Sequence, residues 1–88
     1  MQERTFKIKN RLGLHARPAA MLVQITTRRA SKVMIHKDDQ EVDGKSIMGL
    51  MTLAAECGSE IKIVADGVDE QQVLDEIAGL IENKFSED

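Results

Sequence analysis

Apolar and polar residues alternate along Thr5-Phe6-Lys7-Ile8-Lys9, and this two-residue period predicts a half-buried strand. Asn10-Arg11-Leu12-Gly13-Leu14 breaks the alternation around a glycine. From Pro18 onward Ala19, Leu22, Val23 and Thr26 follow helical spacing as far as Arg28-Arg29, where cations suit the negative end of a helix. Proline fixes its own φ near the helical value and biases Arg17 away from the α region, so this helix begins either at Ala16 or only at Pro18. Lys32-Val33-Met34-Ile35-His36 predicts a second strand, Asp38-Asp39-Gln40 a turn, and Glu41-Val42-Asp43 a short third strand. Ser46 is a natural N-cap for a second helix and Gly58 its natural stop, with Cys57 at the end as a small space-filling residue. Glu60 to Ala65 alternates as a fourth strand. Asp69 is expected to cap a third helix, with Gln72 completing a capping box and Val73, Leu74, Ile77, Leu80 and Ile81 forming the apolar stripe.

The order β-α-β-β-α-β-α predicts an α+β fold with helices covering one sheet face. Eighty-eight residues suit one domain spanning 1–88, burying roughly 60–70% of the unfolded surface. Hydrophobic residues at 42% and charged residues at 31% fit a globular protein, not a disordered tail. Two Phe with no Tyr or Trp argue against a platform that stacks nucleic-acid bases. The single cysteine excludes a disulfide or a cysteine-based metal cluster within one chain. No apolar signal segment follows Met1, and the uncharged stretch Ser46–Ala55 is half the roughly 20 residues a bilayer needs. The expectation is a cytoplasmic protein without a membrane, nucleic-acid or metal partner.

Charge is unevenly spread: residues 1–37 carry +8 and residues 38–88 carry −11. Either a basic lobe meets an anionic ligand or acidic partner, or basic and acidic elements interleave in the fold and cancel.

Leu12-Gly13-Leu14-His15-Ala16-Arg17-Pro18-Ala19-Ala20 carries the chemistry. His15 precedes a helix N-terminus, where unpaired amides and the helix dipole favour an anion. Arg17 adds a planar donor fork suited to phosphate oxygens. A neutral imidazole nitrogen is a nucleophile near neutral pH and can be phosphorylated. The bland alternative makes His15 a helix cap or an ordinary surface residue. His36 reads as a surface histidine, far in sequence from any second ligand.

In the second helix Ile47, Met48, Leu50, Met51, Leu53 and Ala54 span an arc of about 220°, more than the roughly 100° one buried stripe needs. Leu50, Leu53 and Ala54 make the better core set. Ile47, Met48 and Met51 are then an exposed apolar patch suited to docking, unless a thin core takes them all. Ser46 is explained by capping, worth about 1 kcal/mol.

Gly13-Leu14-His15-Ala16-Arg17-Pro18-Ala19 resembles the active-site motif of the HPr family, the histidine phosphocarriers of the phosphoenolpyruvate-dependent phosphotransferase system. Gly44-Lys45-Ser46-Ile47-Met48 resembles the family's second signature, and the element order matches over essentially the whole chain. The resemblance implies an open-faced β-sandwich, a four-stranded antiparallel sheet covered on one face by three helices. It implies that His15 accepts a phosphoryl group on Nδ1 from phosphorylated enzyme I and passes it to an enzyme IIA protein. The Ala16 and Arg17 amides and the Arg17 side chain would hold that group. The chain would then be a carrier and not an enzyme, a monomer with no cofactor. Leu12, Ala20, Met21, Gln24, Ile47, Met48, Met51 and Thr52 would form the surface that docks both partners. In some family members the serine matching Ser46 is phosphorylated by a dedicated kinase, and such a phosphate would put about two negative charges beside the docking patch.

Sugar-branch members often carry lysine where Gln24, Thr27 and Gly49 stand here. Asn10-Arg11-Leu12-Gly13, Ser46-Ile47-Met48-Gly49-Leu50 and the acidic tail after Phe85 look more like the nitrogen-related branch. A ferredoxin-like regulatory or binding module shares the β-α-β-β-α-β order and is the competing class; its metal-carrying form is disfavoured because Cys-x-x-Cys is missing.

Overall fold

The computed structural model describes residues 1–87. Its strands are β1 (Gln2–Lys7), β2 (Lys32–Lys37), β3 (Gln40–Asp43) and β4 (Glu60–Asp66). Its helices are α1 (Ala16–Thr27), α2 (Ile47–Thr52) and α3 (Glu70–Glu82), followed by a short turn at Lys84–Ser86. The four strands form one antiparallel sheet in the order β1-β4-β2-β3. The sheet's inward row, with Phe6, Val33, Ile35, Ile61 and Ile63, packs against Leu22 of α1, Leu50 of α2 and Leu74 and Ile77 of α3. The alternation read from the sequence therefore has the right phase in β1, β2 and β4, and the α+β architecture is as expected.

The second helix differs from expectation. It ends at Thr52, six residues before Gly58, and Ala54 takes the left-handed conformation (φ 50°) that usually falls to glycine. The amides of Leu53 and Ala54 reach back to Leu50 and Met51 as the helix tightens. Beyond that point, tertiary hydrogen bonds replace helical ones. Leu14 N–H donates to Ala55 O (2.8 Å), Gly58 N–H to Ile8 O (2.8 Å) and Ile8 N–H to Ser59 O (2.8 Å). Ala54 is consequently exposed and Ala55 takes the core place expected for it. Cys57, expected to fill space, is exposed on this loop, its thiol 3.7 Å from Lys9 O.

Asp69 stands at the N-cap of α3 but makes no capping bond with its side chain. Its carboxylate instead accepts the Ala30 amide (3.0 Å), the Ser31 amide (2.9 Å) and the Ser31 hydroxyl. Glu70, not Gln72, reaches back to accept the Gly67 amide (3.1 Å). The expected capping box thus gives way to a clasp between α3 and the end of α1.

The charge asymmetry resolves in favour of interleaving. Arg4 pairs with Asp75 (3.1 Å), Lys9 with Glu82 (2.6 Å) and Arg29 with Glu76 (2.6 Å), each joining the basic half of the chain to α3. Exposed pairs of this kind stabilise by about 0–1 kcal/mol each. Arg28 donates to the Gln24 carbonyl (2.8 Å), a helix-end role as expected, and His36 meets Glu41 (3.2 Å) on the surface.

The hydroxyl and amides around Asp69 hold its carboxyl below the usual range, so its stabilisation is present above that range and is lost as pH falls through the lowered value. Asp69→Asn is expected to lower the melting temperature at neutral pH. The gap from the parent should close as melts are repeated in increasingly acid buffer.

Candidate functional site

The site begins with a backbone requirement. Gly13 has φ 73°, and a Cβ there would lie 2.5 Å from Ala55 O, the oxygen that accepts the Leu14 amide. Only glycine lets the 10–14 loop approach this closely. The approach buries Leu14 and delivers the next residue, His15, to the N-cap of α1. The helix therefore starts at Ala16, which settles the boundary left open by Pro18.

Pro18 falls at the third helical position, where an N-cap side chain would normally find an amide to bond. It has no N–H, and His15 makes no capping bond. The cap alternative for His15 is thereby removed in its usual hydrogen-bonded form. The Ala16 and Arg17 amides head the helix without an intrahelical partner, as first-turn amides do.

The His15 ring, 37% exposed, is held from one side. Its Nε2 lies 2.9 Å from Oε2 of Glu87, whose side chain is only 14% exposed. The other carboxylate oxygen of Glu87 accepts from Asn10 Nδ2 (2.9 Å), which also donates to Gly13 O (2.6 Å). A carboxylate can only accept, so in the neutral ring Nε2 carries the proton and Nδ1 keeps its lone pair. The Asn10 hydrogen bond, followed by that of His15 and the charges of His15 and Arg17, lowers the Glu87 carboxyl below its ordinary range against the opposing effect of desolvation. Arg11, Leu12, Arg17, Ser86 and Glu87 line a shallow recess of about 300 Å³. Among the described residues, neither Arg11 nor Arg17 is in an ion pair, unlike the basic residues drawn to α3.

Glu87 reaches this place through an unusual turn. Lys84, Phe85 and Ser86 all have left-handed φ (52°, 54° and 59°), although none is glycine. Each costs about 1 kcal/mol. Full burial of Phe85 returns up to about 3 kcal/mol, so the turn holds because this ring is anchored in the core.

Of the expected docking residues, Ala20, Met21 and Gln24 fall at i+3, i+4 and i+7 from Arg17 and share one face of α1 with it. Ala20 and Met21 are half-buried and Gln24 is exposed. On α2, Met48 is 78% exposed, with Ile47, Met51 and Thr52 also exposed, while Leu50 and Leu53 are buried. The core therefore does not take the surplus apolar residues. Leu12 is 63% exposed at the recess, and α1 packs against α2, so these surfaces adjoin. Ser46 caps α2, its hydroxyl accepting the Gly49 amide (3.0 Å).

Sequence reasoning missed Asn10, Arg11 and Glu87. Asparagine opening a four-residue turn was a signal for Asn10, whose carbonyl accepts the Gly13 amide. For Glu87 the only hint was Phe85, a lone aromatic in a polar segment.

A family model, the PTS HPr component phosphorylation site, matches residues 2–83. The chain belongs to the HPr family. It is 48% identical to the phosphocarrier protein HPr of Treponema pallidum over 88 residues, covering all of both chains. It is 45% identical to the phosphocarrier protein HPr of Cupriavidus necator, over 99% of this chain and 98% of the relative. The crystal structure of HPr-C-His from Thermoanaerobacter tengcongensis superposes with a TM-score of 0.95 at 44% identity, covering 100% of this chain and 99% of the other. The function that follows from HPr-family membership is that of a phosphocarrier of the phosphotransferase system, not of a catalytic enzyme. The ferredoxin-like alternative is not favoured. Among the described residues no helix is long and apolar enough to cross a membrane, and no group of three or more His, Cys, Asp or Glu is placed to hold a metal ion.

Phe85→Ala is expected to cost about 3 kcal/mol in urea unfolding, the lower part of the range for emptying a phenylalanine site. The same variant is expected to shift the His15 ring-nitrogen NMR signals as the tail detaches and the Glu87 contact is lost.

Proposed function

We propose that His15 carries the phosphoryl group, accepting it on Nδ1 from phosphorylated enzyme I and donating it to an enzyme IIA protein. The observation that carries this reading is an imidazole at a helix N-terminus whose Nε2 is engaged by Glu87 while no capping bond engages the ring. In the forward step the Nδ1 lone pair forms the phosphorus–nitrogen bond as the bond to the donor breaks, its electron pair staying with the donor. Phosphoryl transfer asks mainly for alignment and for charge stabilisation. The Ala16 and Arg17 amides and the guanidinium of Arg17 are the groups proposed to receive the three equatorial oxygens, with Arg11 contributing to the local positive field.

The docking surface is proposed to be Leu12 with Ala20, Met21 and Gln24 of α1 and Ile47, Met48, Met51 and Thr52 of α2. Flexible methionine side chains suit a surface that must fit more than one partner. Residues 1–88 are proposed to act as one cytoplasmic domain and as a monomer. Phosphorylation of Ser46 rests on the family resemblance alone, since capping already accounts for that serine. The nitrogen-related branch rests on the residue phrases around Asn10 and Ser46, and comparing transfer rates to a sugar IIA and a nitrogen IIA decides it.

Incubation with phosphoenolpyruvate and enzyme I, read by phosphorus NMR, is expected to give an acid-labile phosphohistidine; its absence sinks the proposal. His15→Ala should abolish the signal while the melting curve stays cooperative. Met48→Lys should weaken binding of enzyme I, read by titration calorimetry, while shifting stability by no more than about 0.5 kcal/mol, as for other exposed substitutions.

A further inference from the structure

We infer that Glu87, held in place by Asn10, is a positioning residue for the transfer: it fixes His15 as the tautomer protonated on Nε2 and keeps that proton there while Nδ1 carries the phosphoryl group. The inference rests on the phosphocarrier reading and extends it to residues that neither signature of the family resemblance contains.

Three observations point the same way. The contact is direct, with Glu87 Oε2 2.9 Å from Nε2. The carboxylate is itself oriented, because Asn10 Nδ2 lies between Gly13 O (2.6 Å) and Glu87 Oε1 (2.9 Å). Both neighbours are acceptors, so the amide can face them only with its nitrogen, and this orientation leaves Asn10 Oδ1 buried without a hydrogen-bond partner. A buried acceptor left bare is unfavourable, and the arrangement persists because the nitrogen serves two oxygens at once. Finally, the left-handed turn at 84–86 and the buried Phe85 give Glu87 a fixed origin.

The chemistry gives this contact a task. When Nδ1 attacks phosphorus the ring becomes positively charged, with its proton still on Nε2 and facing the Glu87 carboxylate. When the group moves on, the phosphorus–nitrogen bond breaks, its electron pair returns to Nδ1, and the ring departs as neutral imidazole. The proton never has to move in either direction, and the carboxylate offsets the charge that appears between the two steps. Arg17 from α1 and Arg11 from the 10–14 loop face the recess from the other elements, and both are cationic; among the described residues Glu87 is the only carboxylate lining that recess.

The test uses the full chain labelled with nitrogen-15. Ring-nitrogen shifts of His15, recorded above the imidazole titration range, are expected to show one tautomer in the parent. In Glu87→Ala they should move toward exchange between the two tautomers, and in Glu87→Gln, which keeps an acceptor oxygen, they should move less. Phosphoryl acceptance at saturating enzyme I should slow by roughly tenfold in Glu87→Ala, the low end of what loss of an outer-shell carboxylate behind a working histidine costs, and Glu87→Gln should recover part of it. Unchanged ring shifts in Glu87→Ala, or changed shifts with an unchanged rate, overturn the inference. Failure of the parent to be phosphorylated overturns the carrier reading instead, and the ring shifts of the unphosphorylated protein still decide whether Glu87 sets the tautomer.

Discussion

Everything at the site depends on how closely two loops approach each other. Ile8 exchanges hydrogen bonds with Ser59 and Gly58, and the Leu14 amide donates to Ala55 O, so the chain between β1 and α1 is tied at both ends to the segment between α2 and β4. Gly13 permits the contact because any side chain there would strike the same Ala55 oxygen. These bonds do three things together. They end α2 after six residues, they bury Leu14, and they fix the height at which α1 begins. A site built on a loop is as accurate as the scaffold that holds the loop, and here the scaffold is backbone hydrogen bonding to a sheet-anchored neighbour.

Given that placement, the local charges follow. Three of the nine basic residues in the N-terminal half, Arg4, Lys9 and Arg29, pair with the acidic α3, while Arg11 and Arg17 line the recess where the helix dipole already favours an anion. The excess of +8 in residues 1–37 is thus offset in part by ion pairs to α3, and two cations of that half line the site. Pro18 adds to this by omission. With no N–H at the third helical position, one of the two usual capping partners is missing, and the imidazole makes no capping bond.

The strands, the amphipathic stripes of α1 and α3, and the motif around His15 were legible because each is a local pattern: a period of two, a period near 3.6, or residue types at fixed offsets. The end of α2 was not legible. Nothing near Thr52 breaks a helix, and the break comes from Ile8 and Leu14, some forty residues away. Asp69 shows the same limit. Its sequence context fits a cap, but Ser31 and Ala30 offer it three donors that only the fold brings within reach. Glu87 is the extreme case, since its approach to His15 requires three consecutive left-handed residues that local propensity disfavours and the burial of Phe85 enforces. The surplus of apolar residues on α2 was legible in number and in outcome, because a helix arc of about 220° exceeds what one sheet face can cover.

A carrier has to hold its cargo less firmly than it could. Enclosing the phosphoryl group would exclude water and slow its hydrolysis, but an enclosed group cannot be handed to a nucleophile on another protein. The arrangement around His15 answers this with donors on one side and solvent on the other: the ring is about a third exposed and the recess is shallow. Under the proposed docking, a partner seated on Leu12 and the exposed apolar residues of α2 would supply protection by removing water at the moment of transfer. Exposure of Met48 and Leu12 fits the docking role proposed for them. A side chain that set the imidazole tautomer from behind, as Glu87 does, fits the same logic, since it acts on the ring without occupying the face where two proteins must meet.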